Sequence, residues 1–187
     1  LIPGESGDEI LKYDDKNIYE RFLNQASVLD NLDFLIIDTG AGIGGNTAHF
    51  LEMADEIIIV TVPDPAAITD AYATIKMTSK SKENLLLLLN SVKNENEALK
   101  VFENLKKVAD SNIKNPLNLE FLGFLSTSKD ISTSIKKRTL FSDENSSASD
   151  EFKVIASKLL YRLEQRELDD MPSKSVVGFF KKVVERF

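Results

Sequence analysis

Four short runs of Ile, Val, Leu and Phe carry almost no polar alternation: Asp33–Asp38 (DFLIID), Glu56–Val62 (EIIIVTV), Asn84–Leu89 (NLLLLL) and Leu119–Leu125 (LEFLGFL). A strand with one wet face alternates apolar and polar residues, so unbroken runs of this kind belong to strands covered on both faces. Segments with helical periodicity fall between and around them, at about Asp15–Asn31, Thr47–Ala54, Ala66–Ser79 and Glu95–Ser111. Strands that alternate with crossover helices build a parallel sheet. The chain is therefore predicted to be α/β, a mostly parallel sheet with helices on both faces. Two more helices are predicted over Asp130–Thr139 and Ser149–Leu168, with the polar stretch Asp143–Asp150 (DENSSASD) as a loop between them.

Composition narrows the chemistry. The 187 residues hold 23 Lys and Arg against 30 Asp and Glu, a formal net charge of −7, with no Cys and one His. Thiolate zinc sites, iron–sulfur clusters and cysteine nucleophiles are excluded, and a single His leaves little room for His-rich metal sites. The acidic balance argues against a general nucleic-acid coat. The longest apolar run, Leu85–Leu89, is far short of the roughly 20 residues a spanning helix needs. A cytoplasmic chain is the expectation. Leu1-Ile2-Pro3-Gly4 reads as the end of a strand running into a loop, which suggests the latter part of a longer protein.

In open α/β sheets, ligands bind at the carboxyl ends of the strands. The first such loop is the richest. Asp38 is followed by Thr39-Gly40-Ala41-Gly42-Ile43-Gly44-Gly45-Asn46-Thr47, which places four of the chain's 8 glycines within six positions. Two readings fit: an aspartate that holds Mg²⁺ through water beside a loop that approaches phosphate closely, or a tight turn capped by an aspartate. The stretch also imitates the P-loop pattern G-x4-G-K-[ST], but Asn46 stands where the phosphate-binding Lys belongs. Asn cannot supply that charge, so the loop reads better as a switch that senses phosphate held elsewhere.

DFLIIDTGAGIGGNT followed by ADEIIIVTVPDPAAITDAY resembles the Walker B, switch II and following strand and helix of the MinD/ParA class of deviant P-loop ATPases. Within that class it most resembles the FlhG-type flagellar-number regulators. The resemblance runs from Leu1 to about Arg166. It implies a P-loop NTPase fold of the MinD-like kind, with ATP and Mg²⁺ as ligands. Asp38 matches the residue that holds Mg²⁺ through water, and Gly40 and Gly42 match the mobile switch, so these three form the expected catalytic set. Asn90 matches the adenine-reading Asn, although by itself it reads better as a helix or turn cap. Ser126 falls in a second base-contacting loop, where relatives often carry a Pro. The same resemblance places a two-lysine Walker A loop and a switch I acid upstream of Leu1, so the chain alone is expected to be inactive and the intact protein an ATPase. Asp64, Asp70 and Tyr72 fall where relatives meet partners or a second subunit, and read otherwise as solvated surface. His49 reads as an ordinary helix-face residue.

The end of the chain divides sharply. At about 100° per residue, Val176, Val177, Phe179, Phe180, Val183, Val184 and Phe187 fall within an arc of about 160°, and Lys181, Lys182, Glu185 and Arg186 fall outside it. Lys174, Lys181, Lys182 and Arg186 against Glu185 give this tail +3, which leaves −10 on the rest of a chain whose total is −7. A basic amphipathic helix on an acidic body suits an anionic membrane surface; the competing reading packs the stripe on the sheet domain or on a second copy. The tail also resembles the membrane-targeting helix of MinD-type proteins. The expected organisation is a partial ATPase domain over 1–168, a tether over 169–175 and the amphipathic helix over 176–187.

Two functions follow. In the first, ATP joins two subunits, the paired tails bind the inner membrane through avidity, and hydrolysis releases them. The resemblance implies a role in flagellar number and placement. It implies as partners a signal-recognition-type flagellar GTPase and flagellar switch or transcription components, without direct nucleic-acid binding. In the second, the chain is a catalytically inactive membrane-associated adaptor on the same fold.

Overall fold

The computed structural model describes residues 32–40, 45–143 and 145–169. They fall into two compact units, one holding 32–40 and 45–55, the other 56–143 and 145–169. The helix expected over Asp15–Asn31, the tether beyond Asp169 and the amphipathic tail lie outside the described residues.

In the first unit, α1 (Gly45–Met53) covers the helix expected over Thr47–Ala54. Its last turn closes with the Ala54 N–H donating to the Phe50 carbonyl at 2.9 Å. The run Asp33–Asp38 is not a strand, which corrects the first of the four sequence expectations. Phe34 is 51% and Ile36 88% exposed. A strand has no hydrogen bonds of its own and exists only through a neighbour's ladder; the described residues contain none for this segment. Its apolar character is the capacity for a covered strand without the ladder that would realise one.

The second unit has the predicted design. β1 (Ile58–Thr61), α2 (Pro65–Thr78), β2 (Asn84–Val92), α3 (Glu95–Asn112) and β3 (Asn118–Ser126) alternate along the chain. The strands are parallel in the order β1-β2-β3, with Ile58 opposite Leu86 and Leu85 opposite Leu119. Leu85, Leu87 and Leu89 are fully buried on the face covered by α2 and α3, where Phe102 meets Phe121 with ring centroids 5.2 Å apart. α4 (Lys129–Lys137) and a single 3₁₀ turn (Phe141–Asp143) then lead to α5 (Ser147–Asp169), which covers the opposite face. There Leu86, Leu122 and Ile155 form the core, flanked by Leu88, Leu125 and Leu159. Gly123 makes this close approach possible, because a Cβ at that position would lie 2.7 Å from Ile155 Cγ1.

Local chemistry sets the helix starts. Asp64 caps α2, its Oδ1 accepting from the N–H groups of Ala66 and Ala67 at 2.9 and 3.3 Å, with Pro65 in the first helical turn. Asn94 caps α3 through the Glu97 N–H, and Ser128 caps α4 through the Asp130 N–H. The DENSSASD loop is shorter than expected, since α5 begins at Ser147. Ser146 Oγ accepts from the Ser149 N–H, and the buried Ser149 hydroxyl donates to the Ser142 carbonyl at 2.8 Å, so serines that read as loop residues serve as a helix start.

Candidate functional site

A parallel sheet gathers the ends of its strands. The carboxyl ends of β2 and β3 lie side by side, with Val92 opposite Ser126, and this edge carries Asn90 and Ser126 together. The pairing slips between Leu89 and Val92, so Asn90 and Ser91 form a bulge in β2. Ser91 takes the left-handed conformation, φ 57°, which a Ser adopts only under local constraint. The constraint is visible. Its N–H donates to Asn90 Oδ1 at 2.8 Å. That bond fixes which end of the half-buried amide is oxygen, and leaves Nδ2 as the end turned from this backbone.

Ser126 is held from the other side. Its N–H donates to Glu151 Oε2 and its hydroxyl to Glu151 Oε1, each at 2.7 Å, so a single carboxylate near the start of α5 takes both donors. The next residue is also committed, because the Thr127 N–H donates to the Val92 carbonyl at 2.8 Å. Short bonds to an ionised acceptor are the strong kind. The loop leaving β3 is thus fixed to α5 through Ser126 and to β2 through Thr127.

The remaining candidates are distributed elsewhere. Asp38 and Gly40 are exposed and belong to the other compact unit; Gly42 lies outside the described residues. A Cβ at Gly40 would meet nothing within 4 Å. An exposed hard carboxylate beside open backbone fits Mg²⁺ held by one protein ligand and phosphate oxygens, and no group of three or more His, Cys, Asp or Glu that could cage a metal occurs among the described residues. Asp64 is a helix cap, Asp70 is exposed and Tyr72 half-buried on α2, and His49 lies in α1. Phe179, Phe180, Lys181, Lys182, Val183, Val184 and Phe187 lie outside the described residues.

The amino ends of the strands look different. Arg162 on α5 donates through Nε to Glu56 at 3.0 Å and through Nη1 to both oxygens of Glu120 at 2.9 and 2.8 Å. Burial works against its charge, but the hydrogen bonds and charges of Glu120 and Glu56 outweigh it and hold the guanidinium's pKa above its ordinary value. An open cleft of about 550 Å³, bordered by Asn84, Glu120, Tyr161 and Arg162, lies at this end, away from the strand ends where α/β sheets bind ligands.

A family model for ParA, described as an NUBPL iron-transfer P-loop NTPase, matches residues 15–160. The chain belongs to the ParA family of P-loop NTPases. It is 40% identical over 188 residues to the flagellum site-determining protein YlxH of Helicobacter pylori, covering 99% of this chain and 63% of that protein. It is 28% identical over 164 residues to the antiactivator FleN of Pseudomonas aeruginosa, covering 85% and 58%. A shorter match, 34% over 76 residues, joins 40% of the chain to 29% of an uncharacterised ATP-binding protein of Methanocaldococcus jannaschii. The chain thus spans about three fifths of the two flagellar relatives, 63% and 58%. The expected ParA-class fold and the FlhG-type resemblance both stand on these matches.

Sequence reasoning missed Glu151. It lies 25 residues beyond Ser126 in a helix of ordinary composition, and nothing in the spacing marks it. The bulge at Asn90–Ser91 was also invisible, since Ser does not signal positive φ as Gly or Asn would.

Proposed function

We propose that this chain is the nucleotide-reading and switch part of an ATP-driven, dimerising regulator of flagellar number and placement that acts at the inner face of the cell membrane. The observation that carries the reading is the pairing of an orientation-locked Asn90 with the tethered Ser126 loop at the carboxyl edge of a ParA-family sheet. The flagellar role draws its support from the similarity to YlxH, a flagellum site-determining protein, and to the antiactivator FleN.

In this mechanism Asn90 reads the adenine edge and the loop after Ser126 lines the base. Asp38 would hold Mg²⁺, and the glycines at 40 and 42 would let the switch backbone approach the γ-phosphate and orient the attacking water. Bound there, Mg²⁺ would supply charge neutralisation for the transferred phosphoryl group. Two ATP-bound subunits pair, and their tails, Val176–Phe187, bind anionic lipid together; one tail of about a dozen residues with net charge +2 binds weakly, so avidity makes nucleotide state control location. Partners are a signal-recognition-type flagellar GTPase and flagellar switch or transcription components.

Vesicle sedimentation of the natural-length protein tests this reading. With anionic phospholipid vesicles, ATP is expected to drive the protein into the pellet and ADP to leave it in the supernatant, while Asp38→Ala removes the difference. Equal pelleting of the unaltered protein with ATP, with ADP and without nucleotide would sink the switch and leave the adaptor.

A further inference from the structure

We infer that Glu151 is the positioning residue of the base-binding loop and sets its preference for a base that offers an amino group. This rests on the ATP-switch reading and adds a residue that the sequence did not point to. Three hydrogen-bond donors stand at the end of β3: the Ser126 N–H, the Ser126 hydroxyl and the Thr127 N–H. Glu151 takes the first two and the Val92 carbonyl takes the third. A base arriving at this strand end meets donors already spent inside the protein. The 6-oxo group of a guanine or hypoxanthine ring needs such a donor, whereas the 6-amino group of adenine needs an acceptor.

The clamp is itself well anchored. Glu151 is the fifth residue of a 23-residue helix whose Ile155 packs on Leu86 and Leu122 and sits over Gly123. Arg162 ties the same helix to Glu56 and Glu120 farther along. The carboxylate is therefore presented from a rigid element, as a positioning group has to be if it is to fix a loop. Glu151→Gln keeps one acceptor for the Ser126 N–H, and its amide can donate to the Ser126 Oγ; Glu151→Ala releases both donors.

Steady-state hydrolysis by the natural-length protein, with ATP and with inosine triphosphate, tests the inference. Inosine triphosphate replaces the 6-amino group with 6-oxo. Glu151→Ala is expected to raise the KM for ATP on the order of tenfold, more than it lowers kcat, and to narrow the preference for ATP over inosine triphosphate by a similar factor. Glu151→Gln should recover most of the KM. Ser126→Ala, which removes only the hydroxyl arm, should raise the KM for ATP in the same direction by less. An unchanged KM and preference in Glu151→Ala overturns the inference, as does an equal loss for both nucleotides accompanied by a lower melting temperature. Failure of the unaltered protein to bind or hydrolyse ATP would instead remove the ATP reading itself, and the inference with it.

Discussion

Helix α5 grips the sheet at both ends, and the two grips are built for different work. At the amino ends of the strands, Arg162 of α5 meets two carboxylates, Glu120 in β3 and Glu56 in the bend just before β1. At the carboxyl ends, Glu151 meets the backbone and hydroxyl of Ser126, the last residue of a strand about to become a loop. The first contact joins α5 to β3 and to the lead-in of β1, and holds the fold. The second joins an element to a loop, and so decides where that loop sits. Backbone irregularity follows the same division: the bulge and positive φ at Asn90–Ser91 occur at the carboxyl end of β2, where strain is kept for function.

Breaking the amino-end grip should have the largest effect. Arg162→Ala leaves Glu56, whose side chain is only 8% exposed, without its guanidinium, and should lower unfolding stability by about 3 kcal/mol. Urea unfolding of the natural-length protein reads the loss, and the ATP affinity of the folded fraction should stay unchanged. A parallel loss of affinity would show that the two ends are not separable. Wedging the helix off the sheet comes next. Gly123→Ala puts a Cβ 2.7 Å from the β-branched Ile155, which cannot easily turn aside, so a loss of about 2 kcal/mol is expected. With Ile155→Ala, which removes the clashing Cγ1, the further loss caused by Gly123→Ala should be smaller than it is beside Ile155, and an equal loss would place the clash elsewhere.

The sequence foretold more of this architecture than of its site. EIIIVTV, NLLLLL and LEFLGFL became β1, β2 and β3 because each run has the unbroken apolar character that a strand covered on both faces requires. DFLIID has the same character and is no strand, because a ladder is a contact between distant residues and no run of residues encodes its partner. β1 shows what that means at an edge: Ile59 is buried while Ile58 and Val60, on the face where α5 packs, stay 37% and 58% exposed. The start of α2 was legible to within a residue from periodicity, although Asp64 read as surface and not as its cap, and the start of α5 was misplaced at Ser147, where Ser146 and Ser149 looked like loop. Asn90 and Ser126 entered through resemblance to relatives. Glu151 had no local mark, since its partner is a backbone amide that any residue possesses.

The most direct test is a titration of the natural-length protein with a fluorescent ATP analogue in Mg²⁺, comparing the unaltered chain with Asn90→Ala. If the carboxyl edge of β2 and β3 reads the base, Asn90→Ala weakens ATP binding on the order of tenfold and leaves the melting temperature nearly unchanged. Identical binding curves for the two proteins would contradict the assignment of this edge as the nucleotide site.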